Sequence, residues 1–279
     1  MPELRVIDRG AALYDRLKKI WVLPTVARRL YQLLLLLFIL CALLCLLARS
    51  GLVPGIANFP DQPFYAIRLV FSLLLAIELI ELIFAMAESV SLAMAKQLEI
   101  MALLLLRESF VDISLLDQAT CFEEDWFVLM QVCATSVSGL ALFVIKGFFQ
   151  RWHRVQGYQD MRGYVNAKKC VCLALLLCFV GAGSHDLARG LFNGAEATFF
   201  PVFYTVLIFT DITLILIGQY FTPSFRAVFR NSGYAVSTLL MRLSMGAPHH
   251  TGALLCVFAG LYLLALTRAL AYFESADPA

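Results

Sequence analysis

Four carboxylates and one guanidinium stand where hydrocarbon would otherwise surround them: Glu78, Glu81, Asp112 and Asp211, with Arg107. In a low-dielectric site, acidic side chains attract cations, and a carboxyl whose pKa is raised can relay protons. Glu78 and Glu81 are three residues apart and so lie on one face of a helix. Asp211 falls about twelve residues into an apolar run, near a bilayer centre at about 1.5 Å per residue, with Thr210, Thr213 and Gln219 close in sequence. For each acid the alternative is a hydrogen-bonded or charge-paired group that locks helices together, and residue type leaves both readings open. His185 and Asp186 follow Gly181-Ala182-Gly183-Ser184 at the end of another apolar run. Hydrogen bonding at a membrane interface is expected there. Haem or metal ligation lacks its second axial ligand, because His153, His249 and His250 fall in connecting segments. No cofactor is expected.

These residues need elements to hold them, and composition names the solvent of those elements. Of 279 residues, 61% are apolar and 15% charged, with mean hydropathy +0.80. Soluble domains carry about 45–50% apolar and about 25% charged residues. A spanning helix needs roughly 20 mostly apolar residues to cross about 30 Å of hydrocarbon. Six windows qualify: 30–48, 64–87, 126–149, 169–191, 199–220 and 252–273. The fold class is therefore all-α, a polytopic transmembrane bundle. Residues 1–29 form a basic N-terminal segment, 30–273 the membrane domain and 274–279 a tail.

Charge distribution sets the path. Arg5, Arg9, Arg16, Lys18, Lys19, Arg28 and Arg29 precede the first run and place the N-terminus in the cytoplasm. That charged region is too long for a signal peptide and no small-residue cleavage site follows. Six crossings would then send the basic segments 146–169 and 222–250 outside. A seventh crossing at 97–119, which holds the run Ile100 to Leu106, returns them to the inner side, leaving Arg49, Arg189 and Arg268 near the outer one. Seven spans with the C-terminus outside are the preferred reading and six the alternative, in a bacterial cytoplasmic membrane.

The seventh span carries Glu99, Arg107, Glu108 and Asp112, and a lone charge at mid-bilayer costs at least about 2.5–3.5 kcal/mol. An antiparallel hairpin of 64–87 with 97–119 supplies partners at matching depth: Glu88 with Lys96, Glu78 with Arg107, and Arg68 with Asp112. Lys96 and Arg107, eleven residues apart, differ by about 20° around a helix. The competing view is a cytoplasmic extension of the second span, since no Gly or Pro between Phe64 and Ser138 marks a turn. With a Glu in one span and an Arg about thirty residues later in the next, residues 64–117 resemble the core of the phosphate-starvation-inducible E membrane proteins. The aromatic and Pro-containing connection of that family is missing here. The resemblance implies a helical hairpin and no activity.

Other segments narrow the classes. Residues 11–21 place Leu13, Leu17, Ile20 and Trp21 largely on one side and are expected along the cytoplasmic interface, as is part of 224–245 with Arg226 and Arg230. Cys41, Cys45, Cys133, Cys172, Cys178 and Cys256 lie in apolar segments, where free cysteine packs as a small hydrophobe. Phosphate-cradling glycines, G-x-S-x-G, H-E-x-x-H, arginine ladders and carbonyl filters are all missing from the sequence. An enzyme and a nucleic-acid partner are not expected. Two functions remain. One is a cation or proton channel or transporter using the acidic positions; the other is a structural or regulatory subunit whose buried charges fix packing. Expected partners are membrane lipids, including anionic lipid at the basic inner loops, and a second copy or another protein.

Overall fold

The computed structural model describes residues 2–50, 64–113, 126–152, 162–193, 199–221, 225–247 and 249–276, which among them form nine helices and no strand. Six are long and apolar enough to cross a membrane. They are α2 (Pro24–Ser50), α3 (Phe64–Glu88), α5 (Trp126–Trp152), α6 (Arg162–Asn193), α7 (Phe199–Phe221) and α9 (His249–Ala276). These match the six sequence windows, and they make the chain a multi-pass integral membrane protein. The others are α1 (Pro2–Trp21), α4 (Val90–Ile113) and α8 (Phe225–Gly246).

α3 and α4 are separated by Ser89 alone, yet α4 folds back along α3. The Phe71 and Phe110 rings meet at 5.4 Å at the far end of the pair, while Glu81 reaches Lys96 at 2.6 Å near the corner. No glycine or proline is needed because the corner keeps its backbone bonds. The Ser89 amide donates to the Ala85 carbonyl at 3.1 Å, and the Ala93 amide donates to that of Ser89 at 3.0 Å. α4 also runs antiparallel to α5, from Glu99–Lys146 at 2.6 Å to Ser109–Thr135 at 2.8 Å. Gly139 permits that approach, facing the Ala102 carbonyl and the Leu106 side chain. The less apolar helix is thus enclosed between two spanning helices.

The second half is built the same way. α6 and α7 are antiparallel, joined by Phe179 against Phe199 and Phe203 at one end and Tyr164 against Phe221 at the other. α8 returns along α7 and then pairs with α9, where Ser237 donates to the Ala259 carbonyl at 3.0 Å. α9 in turn runs parallel to α5: Gly260 faces Leu142 and Ile145, and the Arg268 guanidinium lies 4.9 Å over the Trp152 ring.

α8, expected along a membrane surface, packs against α7 and α9. Its buried side is the polar one, holding Asn231, Ser237, Thr238, Arg242 and Ser244, while Phe225, Phe229, Val236, Leu239 and Leu243 face outward. Polar groups inside and apolar groups outside is the arrangement lipid requires, since backbone and side-chain donors there can be satisfied only by protein. Sequence reveals the stripe in α8 but not which way it faces. α1 does keep to one end of the bundle, across the start of α6 and the end of α3. Lys169 pairs with Asp15 at 2.8 Å, Asn166 donates to Asp8 at 3.0 Å, and Lys18 pairs with Glu88. The Tyr14 hydroxyl donates to the Phe84 carbonyl at 2.9 Å, and burial pushes its phenol well above the usual range.

Candidate functional site

Among the described residues, two sites of paired charges stand out within the bundle. The first spans α3, α4 and α5. Lys96, on α4, sits between Glu78 and Glu81 of α3, contacting Glu78 directly and Glu81 at 2.6 Å, with Glu99 of its own helix at 3.6 Å. Glu99 extends the chain to Lys146 of α5 at 2.6 Å. Among the described residues, three carboxylates are therefore linked by two ammonium groups. Glu78 is buried, whereas Glu81 and Glu99 keep 40% and 32% of their side chains exposed. That exposure faces a cavity of about 580 Å³ lined by α2, α3, α4 and α5 and, from α1, by Lys18 and Trp21.

The second site is smaller. Arg242 of α8 donates to Asp211 of α7 at 2.7 Å, their side chains 5% and 15% exposed, and the Thr238 hydroxyl also lies against that carboxylate. One cation meets one anion here. A cavity of about 40 Å³ beside Asp211 is lined by Asn231, Tyr234, Thr238 and Met94, large enough for a water molecule.

The expected hairpin is present with a shifted set of partners. Glu78 meets Lys96 rather than Arg107, and Glu88 meets Lys18 of α1 rather than Lys96. The one-residue corner explains the shift, since it draws Lys96 deep along α3 beside Glu78 and Glu81. Arg107 instead comes within electrostatic reach of Tyr204 on α7. The third expected pair, Arg68 with Asp112, involves side chains outside the described residues. Glu78 and Glu81 share one network; Asp211 belongs to the other. His185 is exposed, and Asp186 accepts from the Phe199 amide at 3.3 Å, bracing the α6–α7 end. Lys146 and Arg242, which sequence reasoning assigned to basic segments, are the charge partners it missed. Their signal was polarity on a helical face: Arg242 lies four residues after Thr238 and eleven after Asn231.

Among the described residues no group of three or more His, Cys, Asp or Glu is placed to hold a metal ion. The cysteines described are free, with Cys41, Cys45, Cys172 and Cys256 buried in packing positions. The fold and both sites define a polytopic helical membrane protein with paired charges in its interior. Comparison of the chain with family models, curated proteins and solved structures finds no match.

Proposed function

We propose that this protein handles a proton or another monovalent cation at the Glu78–Lys96–Glu81–Glu99–Lys146 network, acting as a channel or transporter. The observation that carries this reading is the charge ratio. Three carboxylates against two lysines leave one surplus negative charge, and inside a bundle such a charge needs a proton or a cation. The open sides of Glu81 and Glu99 give that cation a route through the cavity. Asp211 and Arg242 balance each other, and this supports a clamp role for that pair, the structural alternative confined to one place.

The membrane path proposed with this function has eight passes, with both termini in the cytoplasm. α4 and α8 each lie alongside spanning helices, and α9 runs the same way as α5. The stacking of Arg268 on Trp152 supports this, because it sets the ends of α9 and α5 at one level. Arg49 and Arg189 then stand at outer ends, while Lys146, Arg151, Lys168, Lys169, Arg226, Arg230 and Arg268 stand toward the inner side, as the positive-inside tendency requires.

The test is cation flux into liposomes holding the purified protein, followed with an internal pH dye and with potassium or sodium gradients. Glu81→Gln and Glu99→Gln are expected to lose most of the flux while remaining folded, because each removes the surplus charge. Flux equal to wild type in both variants, or wild-type flux no greater than in empty liposomes, rejects the reading.

A further inference from the structure

The charges that line the cavity of about 580 Å³ are ordered by depth. At the α1 end Lys18 pairs with Glu88, one cation with one anion. Glu81 lies seven residues before Glu88 on α3, about 10 Å farther in along the helix. Glu99 follows Lys96 by three residues on α4, which puts it nearly a turn deeper again. At this level Glu78, Glu81 and Glu99 face Lys96 and Lys146, so the surplus negative charge sits at the deep end. Glu81 and Glu99 reach the same Lys96 ammonium, at 2.6 and 3.6 Å, and both stay partly exposed. Tyr31 of α2 comes within electrostatic reach of Glu78, Glu81 and Glu99, which places an aromatic ring beside the surplus.

Between these two levels the wall is apolar. Phe84 and Ala85 of α3 and Leu92 of α4 supply it, and the Trp21 ring lies 6.1 Å from that of Phe84. The volume is within the range of about 300–1,000 Å³ usual for small-molecule sites. A bare cation with a few waters of about 30 Å³ each answers the charge and leaves the apolar wall wet. An anion is repelled by the deep carboxylates, and a neutral molecule leaves their surplus uncompensated. An organic monocation satisfies both ends.

We infer that the cavity is a binding site for an organic ammonium ion with an apolar body, held with its charged end inward. The ammonium donates to Glu81 and Glu99 and faces the Tyr31 ring, whose π-face attracts a cation. Its body covers Phe84 and Leu92 and ends against Trp21. A primary ammonium has three N–H donors, and a carboxylate keeps acceptor positions beyond the one a lysine occupies. This names a ligand class for the network read above as a cation site, and it rests on that reading for the surplus charge.

The experiment is isothermal titration calorimetry of the purified full-length chain in a non-ionic detergent. Its three probes share one shape: phenylbutylammonium, phenylbutanol and phenylbutanoate. The ammonium is expected to bind roughly tenfold more tightly than the alcohol, the worth of about one charge-assisted hydrogen bond, and the carboxylate more weakly than either. Glu81→Gln and Glu99→Gln are each expected to erase the preference for the ammonium while affinity for the alcohol stays at the wild-type level, a sign that the cavity is intact. Glu81→Asp keeps the charge and is expected to keep the preference. Trp21→Ala is expected to weaken ammonium and alcohol alike. Equal affinities for ammonium and alcohol, tightest binding of the carboxylate, or a preference unchanged in both glutamine variants overturns the inference. Should Glu81→Gln lose the alcohol as well, Glu99→Gln decides on the same readout. Proton or potassium flux that needs Glu81, without a preference for the ammonium, leaves the cation reading standing and removes the organic ligand. An ammonium preference lost in Glu81→Gln, with flux indifferent to Glu81, supports the binding site and removes the flux.

Discussion

Charge ratio is what separates the two buried ionic sites. Removing the anion from the Asp211–Arg242 pair strands a guanidinium that is 95% shielded, and breaking such a pair typically costs about 3–5 kcal/mol. Asp211→Asn is therefore expected to lower stability by that amount in thermal unfolding of the detergent-solubilised protein. Replacing both partners, Asp211→Leu with Arg242→Met, is expected to restore most of it, since an apolar pair of similar volume is often no worse than a buried ion pair. If the double variant is no more stable than the single, the pair is not a clamp. Sequence alone brought Glu78, Glu81 and Asp211 forward, because ionisable residues inside apolar runs are visible without a structure. It could not assign their partners. Lys96, Lys146 and Arg242 come from other helices, and pairing by equal depth assumed a wider turn than the single residue Ser89 provides.

Close helix contacts depend on small residues, and the glycines of α5 and α9 test this. A Cβ at Gly252 would meet the Ser244 backbone carbonyl oxygen at 2.5 Å, whereas one at Gly147 meets nothing within 4 Å. Since backbone cannot step aside, Gly252→Ala is expected to destabilise the α8–α9 pair by about 1–3 kcal/mol. Gly147→Ala is expected to be neutral or to gain up to about 1 kcal/mol from helix propensity. Denaturation in mixed micelles compares the two, and a Gly252→Ala protein as stable as wild type contradicts the packing described. Six helices of this kind were legible as apolar windows. α4 and α8 were not fully so, because both are less apolar and their polar faces turn toward protein. For α8 the face was readable but its direction was not.

At the level of the molecule, eight passes and seven differ at two accessible places. With eight passes Ala247 lies outside and the end of α9 inside; with seven, these positions exchange sides. In a background without native cysteines, Ala247→Cys is expected to react with a membrane-impermeant maleimide added from outside, while Ser89→Cys reacts only after the membrane is opened. Labelling in the opposite sense sinks the eight-pass path. The corner at Ser89 also bears on how the chain reaches this state. α4 carries Lys96, Glu99, Arg107 and Glu108, and each unpartnered charge in hydrocarbon is costly. With one residue between α3 and α4, Lys96 has its counter-charges, Glu78 and Glu81, at hand on the helix just made. If α3 and α4 insert as one piece, as the eight-pass path requires, a long linker placed at Ser89 is expected to leave α4 in the cytosol, read out by cytoplasmic labelling of a cysteine placed at Leu106.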